Sequence, residues 1–129
     1  MGCDIHGCIE KKIGDKWVMV DLLVYDDRAS SRNYQVFAEL ASVRGESNNK
    51  PKGIPEDVSE GTQYHIDYWG TDGHSHSWHS LEDTLEIYKD KNDISDDVTI
   101  EETLYEFFSH TNGLEKCLDE CRFVFWFDN

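Results

Sequence analysis

Apolar and polar side chains alternate at the start of the chain. From Cys3 to Glu10 and again from Lys16 to Tyr25 the pattern is strand-like, with Trp17, Val18, Val20, Leu22 and Val24 supplying β propensity. The spacing predicts a hairpin that turns at Ile13-Gly14-Asp15, where Gly14 tolerates positive φ. The period then lengthens. Tyr34, Phe37, Leu40 and Ala41 recur at helical spacing after the cap candidates Ser30 and Ser31, and Gly45 is the expected stop just past Arg44. From Glu46 to Asp72 no period is sustained, and Gly, Pro, Asn and Ser dominate, so this stretch reads as a long loop with an ordered turn at 52–57. Ser80 opens a second helix with Leu81, Leu85 and Tyr88 on one face. Thr99-Ile100-Glu101-Glu102 is a capping box for a third, whose apolar stripe is Ile100, Leu104, Phe107 and Phe108 and whose expected end is Asn112-Gly113. Arg122 to Phe127 reads as a terminal strand buried on both faces. The pattern therefore predicts a single α+β domain, mainly an antiparallel sheet of N-terminal hairpin and C-terminal strand, packed with about three helices.

Composition agrees with one folded domain. The chain has 129 residues, and its 38% hydrophobic and 12% aromatic content can fill a core despite 30% charged residues. No apolar run approaches the roughly 18 residues that span a bilayer, and the N-terminus lacks a signal-peptide pattern, so a cytoplasmic protein without a membrane is expected. Four cysteines are then expected to be reduced; Cys3-x4-Cys8 and Cys117-x3-Cys121 fit a four-thiolate zinc site poorly. The net charge of -15 changes the picture more. Residues 1–55 carry eight basic and eight acidic groups, whereas residues 56–129 carry four against nineteen. Such a chain does not replace the counterions of a phosphate backbone, which argues against direct nucleic-acid binding. The acidic half reads as a solvated surface or, more sharply, as a face shaped for a basic groove on a host protein.

Two short runs carry the candidate chemistry: Asp4-Ile5-His6-Gly7-Cys8 and Asp72-Gly73-His74-Ser75-His76. In extended backbone every second side chain shares a face, so Asp4 with His6, and Asp72 with His74 and His76, would each point one way. Joined, Asp4, His6, His74 and His76 are the ligand set of a divalent metal site for zinc, manganese or iron with an open position. A metal-bound hydroxide, with Asp72 as a further ligand or general base and Arg32 or Arg44 on the phosphoryl oxygens, would hydrolyse a phosphoester or nucleotide. The plain alternative is that Asp72 and Ser75 make turn hydrogen bonds while the imidazoles line a polar loop. The metal reading requires the first strand and the segment before Ser80 to meet.

Six segments, Gly2–His6, Arg32–Ala38, Val43–Gly45, Gly53–Ser59, His74–Trp78 and Phe125–Asn129, together resemble a family of small proteins encoded by bacteriophages and prophages. The resemblance runs nearly end to end and implies a phage or bacterial origin and a setting in the cytoplasm of a bacterial host. It singles out Asp4, His6, Arg32, Asn33, Tyr34, Arg44, Asp57, His74, Ser75 and His76, with Asn33, Tyr34, Asp57 and Ser75 as ligand contacts. Cys8 and His79 fall where that pattern has apolar or hydroxyl residues. Two functions are expected to compete: a metal-dependent hydrolase of a small phosphorylated ligand, and a non-enzymatic anti-defence inhibitor that sequesters a nucleotide signal or blocks a basic groove.

Overall fold

The most apolar segment of the chain occupies the middle of its sheet. A computed structural model describes residues 2–23, 32–108 and 113–128. Strand β1 (Asp4–Ile13) turns at Gly14, which has φ +65°, into β2 (Lys16–Leu22). After helices α1 (Tyr34–Ala41) and α2 (Glu60–Trp69) and a 3-10 turn at Gly70–Asp72 comes β3 (His74–Ser80). Helices α3 (Leu81–Lys91) and α4 (Ile100–Phe107) follow, and two 3-10 turns lead into β4 (Cys121–Asp128). The four strands form one antiparallel sheet in the order β2-β1-β4-β3.

Central placement explains why β4 is hydrophobic on both faces. Phe123, Phe125 and Phe127 join Ile5 and Ile9 beneath the apolar stripes of α1, α3 and α4, the main core. Trp126 packs on the opposite face with Cys8 and with Ile66 of α2. The result is three layers, with three helices on one side of the sheet and one on the other. β1 lies close to β4 at Gly7, where a Cβ would come within 2.3 Å of the Phe123 ring and 2.9 Å of the Val124 carbonyl oxygen. Only glycine fits that contact.

Local capping follows the side-chain chemistry. Asn33 accepts from the Gln35 and Val36 amides, Ser80 accepts from Asp83, and Thr99 and Glu102 form the expected reciprocal box. Three boundaries differ from the sequence pattern. α1 ends at Ala41 because Ser42 adopts φ +56° and its hydroxyl donates to the Asn49 carbonyl at 2.8 Å; Gly45 lies beyond the stop. α4 stops at Phe107, since Phe108 is extended and bridges to Leu23. Residues 46–72 are not one loop: Ser59 caps α2, accepting from the Thr62 amide. The expected cap at Ser30 and Ser31, the continuation of the hairpin through Val24 and Tyr25, and the stop at Asn112 lie outside the described residues. Among the described residues no helix is long and apolar enough to cross a membrane.

Candidate functional site

One end of the sheet gathers the start of β1, the end of β4 and the start of β3. Asp4 pairs in register with Asp128, and His74 with Phe127. His6 Nε2 lies 2.8 Å from Asp128 Oδ1, and the imidazole stacks on the Trp69 indole at 3.9 Å between ring centroids. A carboxylate on one ring nitrogen fixes the orientation of the imidazole, the arrangement of a proton-handling pair. Both side chains retain some access to water, at 15% and 22%.

Two arginines flank the strand that carries this pair. Arg32 Nε donates to Asp4 Oδ1 at 2.9 Å, and its guanidinium lies over Gly2, where a Cβ would fall 2.2 Å from Cζ. Arg44 sits 5.1 Å over the Tyr34 ring, and the Tyr34 hydroxyl accepts from the Cys3 amide at 3.1 Å. Burial pushes the Cys3 thiol up, against the opposing charge of nearby Arg44. Arg32 and Arg44 both adopt left-handed backbone, at φ +56° and +61°. Such conformations cost a non-glycine residue about 1–3 kcal/mol and persist where the surroundings impose them.

The second histidine run does not keep one face. Ser75 has φ +56°, and the register shifts between His74 and Ser77, which breaks the period-two alternation. His74 stands beside Phe127 with its Nδ1 3.0 Å from the Ser75 hydroxyl. His76 instead stacks over Trp126, whose ring goes to the other face of the sheet from Phe127. Burial, and then the neighbouring His74, hold His76 below the ordinary histidine range. Trp126 also lies 6.3 Å from His6, so the indole stands between the two imidazoles. Asp72 is exposed in the 3-10 turn and does not join them. Among the described residues no three His, Cys, Asp or Glu side chains are placed to hold a metal ion.

Two other candidates have structural duties. Asn33 caps α1 and donates to Asn92 Oδ1 at 2.9 Å, tying α1 to the end of α3. Asp57 lies toward the opposite end of the sheet, where its two carboxylate oxygens accept from Arg122 Nη1 and Trp17 Nε1, each at 3.0 Å. Desolvation is the largest single influence and pushes Asp57 up, but the hydrogen bond and charge of Arg122, with the backbone and Trp17 hydrogen bonds, together outweigh it and hold the carboxyl below its usual range. Arg122 in turn makes a buried ion pair with Glu10 at 2.7 Å. Sequence reasoning did not assign Asp128, Trp69 or Trp126 to the site. Asp128 alternates with Trp126 in the terminal run, a signal that gains meaning only once β4 is known to pair with β1. No protein-family model, curated protein or solved structure matches the chain.

Proposed function

We propose that this chain is an accessory protein of bacteriophage or prophage type that binds a small phosphorylated ligand, a phosphoester or nucleotide, at this end of the sheet and hydrolyses it. One observation carries the reading: the segment Gly2–His6 meets Arg32 through Asp4 and the His6–Asp128 pair on one face, and Arg44 beside Cys3 on the other. Arginine suits phosphate because its fork of donors matches two oxygens at once and is always charged. His6, held by Asp128, would transfer the proton that activates water or leaves with the alcohol. Zinc, manganese or iron would require the imidazoles to regroup around Trp126, so no step is assigned to a cation. Stoichiometric metal that is lost in both His6→Ala and His74→Ala would establish a cation site.

Calorimetric titration with ribose 5-phosphate and nucleoside monophosphates tests the binding. Arg32→Ala and Arg44→Ala are each expected to weaken it by about ten- to a hundredfold, the worth of a charge-assisted hydrogen bond. His6→Gln should leave binding in place and lower turnover of a phosphoester panel by about 10²-fold or more. Absence of binding, or binding that ignores both arginines, removes the reading.

A second reading rests on a separate observation. α3 and α4 pack together, and Glu82, Glu86, Asp90, Glu101 and Glu102 are exposed on them. That face would block the basic groove of a host protein, and charge reversal at Glu86 and Glu101 should abolish such inhibition while sparing the fold.

A further inference from the structure

A cleft of about 540 Å³ opens between the start of β2 and the first turn of α2, lined by Trp17, Val18, Met19 and Val58 together with charged residues at its rim. It adjoins a run of exposed side chains whose ring contacts are to their neighbours in the same helix, Tyr64 with His65 and Tyr68 with Trp69. Glu60, Tyr64 and Tyr68 follow one another at intervals of four along α2, which places them on one face, and the two tyrosines are 70% and 77% exposed. Val18, on the other wall, is 41% exposed. Phenol rings and a valine left mostly in water beside a cleft bury little apolar surface for the fold, whereas exposed tyrosines are common anchors where proteins meet. The face runs about 12 Å along the helix from Glu60 to Tyr68, longer than a small molecule seated in the cleft would use.

Charge selects the occupant. The lining carries three carboxylates, Asp15, Asp57 and Glu60, against one ammonium, that of Lys16, while Lys12 and Arg122 lie over the Trp17 ring. Asp57 is 60% exposed but its charge is met by Arg122, so the negative excess in the cleft rests on Asp15 and Glu60. A cationic group gains from these carboxylates, and an apolar side chain gains from Met19 and Val58. We propose that the cleft between β2 and α2, extended by the Glu60–Tyr64–Tyr68 face, docks a short segment of another protein in which lysine or arginine flanks apolar side chains. This surface is distinct from the Arg32–Arg44 end of the sheet and does not depend on a phosphorylated ligand.

A short capped peptide of alternating lysine and leucine, titrated calorimetrically at about 0.15 M salt to suppress long-range attraction, is the probe. Tyr64→Ala with Tyr68→Ala is expected to weaken binding at least about tenfold, as is Asp15→Lys with Glu60→Lys. Glu86→Lys with Glu101→Lys makes the same change in net charge on α3 and α4 and is expected to leave affinity within about twofold. An all-lysine peptide should bind more weakly than the mixed one. Equal loss in the two charge variants would show attraction to net charge alone and overturn the proposal. So would loss confined to the α3 and α4 variant, which would instead favour the acidic-helix reading, and so would absence of binding.

Discussion

His79 sits under the sheet with its Nε2 2.7 Å from the Leu40 carbonyl oxygen and its ring stacked on Phe125, so the neutral ring donates to the end of α1. Burial holds this histidine, like His76, below its ordinary range. The unfolded chain titrates both near pH 6.5, so below that value it binds more protons than the folded one. Stability is therefore full above about pH 6.5 and is lost as pH falls below it toward the depressed native values. Asp57 acts in a separate, lower window: its depressed carboxyl stabilises above about pH 3.9 and that contribution is lost beneath it. Thermal unfolding should show a fall in Tm between pH 7 and pH 5, before carboxylates protonate. His79→Leu should flatten that fall while costing about 1–3 kcal/mol at pH 7, because the Leu40 carbonyl loses its donor. A Tm that is level across this range would contradict the assignment. At this scale the sequence was a partial guide. Alternation places Asp4 and His6 together without knowledge of the fold, but the left-handed turn at Ser75 that parts His74 from His76 occurs at a residue type with no special claim to it.

Helix ends show where local chemistry is decisive and where it is not. α3 closes in a full Schellman motif: the Ile94 amide donates to the Lys89 carbonyl, and the Asp93 amide to that of Asp90. Asp93 is exposed and holds φ +52°, a conformation that glycine adopts without penalty. Asp93→Gly should therefore raise stability by about 0.5–1 kcal/mol, helped by removal of a negative charge from a helix C-terminus. Urea unfolding with an unchanged slope is the measurement, and a lowered midpoint would refute the expectation. The helices with strong caps and apolar stripes, α3 and α4, were legible for the same local reasons. α2 was not, because it buries only Thr62 and Ile66 and presents Tyr64 and Tyr68 outward, leaving no stripe for periodicity to find.

Across the whole molecule the polar counterpart of the apolar core is centred on Arg122. Its guanidinium donates to Glu10 at 2.7 Å, lies 4.0 Å over the Trp17 ring and holds Asp57, while the second Glu10 oxygen accepts from the Ser59 amide at 2.8 Å. One ion pair thus joins β1, β2, β4 and the cap of α2. None of this could be read from the sequence, since Glu10 and Arg122 stand 112 positions apart and meet only through the β1–β4 register. Glu10 is fully buried and Arg122 is 5% exposed, so neither charge can be left alone without a penalty. Glu10→Leu or Arg122→Met alone should cost about 3–5 kcal/mol, whereas the double variant should cost much less than the two together, because no unpaired charge remains inside. A double-mutant cycle in urea measures the coupling, and simple additivity would show that the pair is not what ties the layers. The same variants separate scaffold from site. The pair lies several residues along β1 and β4 from His6 and Asp128, so Glu10→Leu should weaken the attachment of α2 without altering ligand affinity in the fraction that stays folded. A selective loss of phosphate-ligand binding in that variant would instead mean that the two ends of the sheet are coupled through Trp69 of α2, which stacks on His6.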